Sequence, residues 1–176
     1  VTYVVASDTD SIYVKLGGMV DKIFKDQSDN RKIVKILDKF SEEKLQPFID
    51  SSFAKLAKYV NAYDQKMIMK REVIANKGIW TAKKRYILNV FNEEGLDLKE
   101  PKLKIMGIEA VKSSTPAPCR VKIKEALKVI MNKDEPALID FIENFRTHFK
   151  KLSPEDIAYP RSCNNLKKYS STKDIY

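Results

Sequence analysis

The chain has 176 residues, enough to bury one compact core or one domain with part of another, and 33 Lys and Arg against 24 Asp and Glu leave a formal charge of +9. That excess favours contact with a polyanion such as nucleic acid or an acidic membrane surface. No apolar run of about 18 residues and no charged leader with an apolar core is visible, which argues against a membrane span and a secretory signal.

The first residues, VTYVVAS, already have strand character at Val1, so the expected natural start lies elsewhere and the chain is taken as a fragment. VTYVVAS and SIYVKL flank an acidic tip at Asp8 to Asp10, the pattern of a hairpin. From about Arg31 to Tyr63 the residues Ile33, Leu37, Phe40, Leu45, Phe48, Phe53, Leu56 and Val60 recur at helical spacing, with Pro47 expected to kink or divide the helix. KMIMKREVIA alternates as a strand, which puts Lys70 and Glu72 on one face. A turn at Gly78, a strand WTAKKRYILNVF, a turn NEEG and a returning strand PKLKIMGI complete a small sheet with one long helix packed on it.

Beyond Lys112 the pattern becomes helical. Ser113 to Thr115 before Pro116 suggest a hydroxyl-capped helix reaching about Asn132. Asp134 is placed to cap a second helix from about Glu135 to Leu152, with Leu138, Phe141, Phe145 and Phe149 on one face. Ser153 and Pro154 start a third, and the chain after Pro160 is polar and weakly patterned.

Cys119 and Cys163 lack the neighbours that a zinc site needs, so reduced thiols are expected. His148, the single histidine, reads as a solvated helix residue. Asp8 and Asp10 are two apart, and on a hairpin tip both carboxylates can converge on a hard divalent cation. A solvated turn is the alternative use of the same residues.

The run SDTDSIYV resembles the C motif of B-family DNA polymerases, usually Tyr-Gly-Asp-Thr-Asp-Ser, with Ala6 and Ser7 here in place of the tyrosine and glycine. KKRY at Lys83 to Tyr86 resembles the family's primer-template motif, and strand period would put Lys84 and Tyr86 on one face with Lys83 and Arg85 on the other. An exposed basic strand edge is the plainer reading. MKREVIA is similar to the strand bearing a further carboxylate near the metal site, here Glu72, although Lys70 stands where the phage relatives tend to carry aspartate. A structural salt bridge would equally account for Glu72. LKIMGIEAVKSSTP, Leu103 to Pro116, resembles the palm-to-thumb passage of the tailed-phage branch, and the ordered resemblance runs from Val1 to roughly Leu152.

The resemblance implies an α+β fold: an antiparallel palm sheet with a long packed helix over residues 1–111, then an all-helical start of the thumb over 112–176. It implies part of a nucleotidyltransferase that adds deoxynucleotides to a primer 3′ end during DNA replication. Asp10 and Asp8 would act at two Mg2+ ions, Thr9, Ser11 and Glu72 would lie near them, and Lys83, Lys84, Arg85, Tyr86, Lys104 and Lys112 would contact DNA. Ordinary surface lysine is the alternative for Lys104 and Lys112. The implied partners are primer-template DNA, deoxynucleoside triphosphates, the remaining palm, fingers and exonuclease, and a sliding clamp as a further candidate, in the cytoplasm of a phage host and without membrane. The fragment alone is expected to be inactive. The rival readings are a non-catalytic basic DNA-binding module, a degenerate polymerase relative, and a cyclase-like enzyme with an analogous two-acid hairpin.

Overall fold

A computed structural model describes residues 3–24, 29–165 and 167. The chain is α+β and divides into two compact units, Val1–Lys104 and Ile105–Tyr176. Among the described residues no helix is long and apolar enough to cross a membrane.

In the first unit, β1 (Val4–Asp8) and β2 (Ser11–Val14) form the expected antiparallel hairpin. After α1 (Gly17–Ile23), α2 (Asn30–Phe40) starts at Asp29, whose side chain accepts the Arg31 N–H at 3.0 Å and so satisfies one orphan donor of the first turn. The expected helix from Arg31 to Tyr63 is divided. A π-helical turn at Ser41–Leu45 separates α2 from α3 (Gln46–Tyr59), and Pro47 falls in the first turn of α3, where its missing N–H costs little. Only part of this helix covers the sheet: Val34 and Leu37 of α2 bury against Ile74, with Leu16, Met19, Val20, Ile33 and Phe91 around them. The expected apolar residues Phe48 and Leu56 of α3, and Val60 just after it, remain exposed.

The sheet consists of β3 (Val73–Ala82), β4 (Arg85–Glu93) and β5 (Leu96–Met106), with β4 in the middle. Three expectations are corrected here. Residues 66–72 are irregular, not strand, because their polar groups take other partners: Gln65 bonds to the backbone of Met67, Gln46 donates to the Met69 carbonyl at 2.9 Å, and Glu94 N–H donates to the Glu72 carbonyl at 2.7 Å. Gly78 is no turn but the middle of β3 opposite Leu88. A Cβ there would lie 2.7 Å from Trp80 ring carbons and 2.8 Å from Leu88, so the glycine makes room for the indole over the strand. The turn instead lies at Lys83 and Lys84, between paired Ala82 and Arg85. The expected NEEG turn is present, with Glu94 and Gly95 both at positive φ, as a two-residue primed hairpin turn requires.

Arg71 ties the elements together. Its guanidinium donates to Asp38 on α2 and, at 2.7 Å, to the fully buried Asn92 on β4. Asn92 in turn donates to Asp97 at 2.8 Å and accepts the Gly95 N–H at 3.2 Å, which braces the second hairpin turn.

In the second unit, α4 (Ala117–Asn132) packs against α5 (Glu135–Phe149) and α6 (Pro154–Ile157). The expected hydroxyl cap of α4 is absent: Pro116 holds the N-cap position without a side-chain bond, while Thr115 is buried. Asp134 caps α5 by accepting the Ala137 N–H at 3.2 Å, and Ser153 caps α6, as expected. Leu138, Phe141, Phe145 and Phe149 share the less exposed face of α5, with Phe145 and Phe149 edge to face at 5.6 Å. Both cysteines are free thiols.

Candidate active-site hairpin

Asp8 closes β1 and pairs across the hairpin with Ser11, leaving Thr9 and Asp10 as a two-residue tip. Ser11 Oγ donates to the Asp8 carbonyl at 3.1 Å, and Thr9 Oγ1 donates to Asp8 Oδ1 at 3.3 Å. Thr9 takes φ of 51°, an unfavourable region for a β-branched residue, so the tip is held in a strained shape by its own hydroxyl contacts. Asp10 projects into solvent at the tip.

The second hairpin tip, Lys83 and Lys84, meets the first. Lys84 has left-handed backbone at φ 62°, and its Nζ lies 3.5 Å from Asp8 Oδ1. Lys84 therefore belongs to a turn, and the expected strand-face pairing of Lys84 with Tyr86 is not observed. Tyr86 faces inward from β4, Arg85 is half-buried, and Lys83 is exposed. Ser7 and Asp8 on one side, Lys83 and Lys84 on the other, enclose a half-open concavity of about 280 Å³.

Its floor is aromatic. Tyr13 lies 5.4 Å from Trp80 at 70° and 5.2 Å from Tyr86 at 59°, while Trp80 and Tyr86 are 6.3 Å apart. Such a cluster joins two separate sheets without a shared backbone ladder. Burial, followed by the hydrogen bond with Tyr13, pushes the Tyr86 phenol well above its usual range, and the negative charges of Glu72 and Asp8 add to the shift. Glu72 and Asp8 thus both act on one phenol, although Glu72 itself is ion-paired with Lys104. Sequence reasoning missed Tyr13 and Trp80. Tyr13 carried one local signal, its position two residues from Ser11 on the same face of β2.

Of the remaining candidates, Lys112 is exposed in the second unit and paired with Glu109 at 3.2 Å. His148 lies with Lys122, Phe141, Asn144 and Phe145 along an open groove between α4 and α5. Among the described residues no three His, Cys, Asp or Glu side chains come close enough together to cage a metal ion.

Along 95% of its length the chain is 40% identical to a DNA-directed DNA polymerase of Escherichia phage RB69 and 34% identical to one of Enterobacteria phage T4. The chain is homologous to phage DNA-directed DNA polymerases. It spans 20% of the length of these curated relatives, and so corresponds to a part of such an enzyme. No protein-family model matches. This kinship favours a polymerase-derived segment over an unrelated basic module.

Proposed function

We propose that this chain is the segment of a B-family DNA-directed DNA polymerase in which the metal-binding hairpin of the palm meets the primer-template contacts, with residues 1–111 in the palm and 112–176 beginning the thumb. The observation that carries this reading is the meeting of two motifs more than seventy residues apart, Asp8 of the acidic tip and Lys84 of KKRY, over one aromatic floor. A basic DNA-binding module has no need to place an acidic tip against its phosphate-binding lysine.

Magnesium binds through one or two carboxylates, with substrate phosphates and water completing its octahedron. Asp8 and Asp10, two carboxylates on an open tip, fit such a partial donor set and would hold the ions in the complete enzyme. When bound, the ions supply alignment of the primer 3′ hydroxyl with the α-phosphate of the incoming deoxynucleoside triphosphate and neutralise charge as pyrophosphate leaves. Ser11 and Thr9 fix the shape of the tip. Lys83 and Lys84 present ammonium groups to the primer-template backbone, giving affinity without sequence choice. Tyr86, a neutral phenol, offers a packing surface and a hydroxyl beside them.

The remaining palm, the fingers, the exonuclease and a sliding clamp are the partners of this reading, set in the cytoplasm of a phage host. Val4, Ile12 and Val14 stay 40 to 48% exposed on a sheet that has two strands among the described residues. A lone hairpin is marginal in water, which supports further strands covering this face in the complete enzyme. Because the chain matches only 20% of the length of its polymerase relatives, the 176 residues alone are expected not to extend a primer.

The test is Asp10→Ala in the complete polymerase that carries this chain. Loss of primer extension with duplex binding retained is the expected result, whereas unchanged extension would overturn the assignment.

A further inference from the structure

Three of the lysines that the sequence resemblance sets against DNA are engaged by carboxylates of this chain: Lys84 by Asp8, Lys104 by Glu72 and Lys112 by Glu109. At the acidic tip this engagement creates a conflict. An ammonium shared between a DNA phosphate and Asp8 serves each less strongly, and Asp8 holds a divalent cation less strongly while an ammonium stands 3.5 Å from its Oδ1. The Thr9 hydroxyl bonds to that same oxygen, which leaves Oδ2 as the open side of the carboxylate.

We propose that Lys84 is a placeholder cation on Asp8 that couples DNA binding to divalent-metal binding: a duplex phosphate draws the ammonium away, and the freed carboxylate then takes the metal ion. This rests on the polymerase reading and adds to it an order of events. Three features support it. The Lys84 side chain is 64% exposed at a turn tip, so it can swing without moving the sheet. The Tyr13, Trp80 and Tyr86 rings hold the two tips in register, so the exchange is a side-chain event between fixed backbones. An exposed ion pair is weak, worth up to about fivefold in an equilibrium, so a multivalent duplex or a doubly charged cation can displace it. Linkage makes the effect reciprocal: metal on Asp8 tightens DNA at Lys84 by the same factor.

The test is a terbium(III) titration of the full chain, read by luminescence sensitised through Trp80, which lines the same concavity as Asp8. It is run with and without a short duplex bearing a recessed 3′ end. Lys84→Met is expected to bind terbium about fivefold more tightly than the parent without DNA, and to gain less from added duplex. Lys58→Met removes the same charge from an exposed position on α3 and is expected to stay within about twofold of the parent. Equal terbium affinity for Lys84→Met and the parent, or equal gains in Lys58→Met and Lys84→Met, would overturn the coupling. Asp8→Asn separates the two levels: if it leaves terbium affinity unchanged, the metal assignment of the hairpin fails; if it weakens terbium while Lys84→Met does nothing, only the coupling fails.

Discussion

Tyr13 on β2 meets Trp80 on β3 edge to face, with ring centroids 5.4 Å apart and planes at 70°. The contact, with Tyr86 as third member, holds the acidic hairpin over the three-stranded sheet. Tyr13→Ala is therefore expected to cost about 2 kcal/mol in urea unfolding, from reduced burial and removal of the aromatic pair together. Trp80 is the only tryptophan of the chain, so its emission should shift to the red in the variant. Unchanged emission with unchanged stability would mean that the hairpin is held by other contacts.

Gly78→Ala tests the floor from below. The new methyl would meet the Trp80 ring at 2.7 Å and Leu88 at 2.8 Å, and overpacking of this kind costs about 1–3 kcal/mol. In a Trp80→Ala background the same substitution should cost less, with partial relief because Leu88 remains. Additive costs across this double-mutant cycle would show that the indole does not rest over the glycine.

Arg71→Met should destabilise the first unit by about 1–3 kcal/mol, because Asn92 is fully buried and loses a charged donor while Asp38 loses its counterion. Hydrogen exchange should quicken first at the Glu94–Gly95 turn, which Asn92 braces through the Gly95 N–H. Protection there equal to the parent's would place the bracing elsewhere.

Tyr86 gives the fold a specific alkaline weakness. Its phenol is pushed up from the ordinary 10.0 by burial first and the Tyr13 hydrogen bond second. The unfolded chain therefore loses this proton at a lower pH than the folded chain does. The stabilising contribution is complete below pH 10 and is lost as pH rises from there through the folded-state value. Tyr86→Phe cannot ionise, so its stability should fall less steeply above pH 10 than the parent's. Parallel curves for the two in alkaline thermal melts would exclude the shift.

Much of the fold was legible because local chemistry and tertiary structure agree at those places. The alternation around Asp8 to Asp10 gave the first hairpin, Gly95 marked a turn that needs positive φ, and Asp134 and Ser153 marked helix starts. Where the two disagree, the sequence misleads. Gly78 carries a breaker's signal but sits in mid-strand because an indole needs its space, and Lys83–Lys84 carries no turn signal although the flanking strands force Lys84 into left-handed backbone. The site shows the same division. Asp8 and Lys84 could be singled out as residue types in motifs, but their meeting depends on Tyr13 packing against Trp80 and Tyr86, which are 67 or more positions away and beyond any local periodicity.

The two lysines of that unexpected turn should act on DNA as point charges. Lys83 is exposed and Lys84 reaches solvent from a tip, so each can meet a backbone phosphate, and neither stands on a rigid strand face from which bases could be read. In the complete polymerase, Lys83→Met and Lys84→Met should each weaken duplex binding equally across sequences and lower the slope of log affinity against log salt by about 0.9 for each phosphate no longer neutralised. Arg85, half-buried beside them, should change the slope little when replaced by Met and act on stability instead. A sequence-dependent effect for either lysine, or a full unit of slope at Arg85, would assign the DNA-facing role to the strand and take it from the turn.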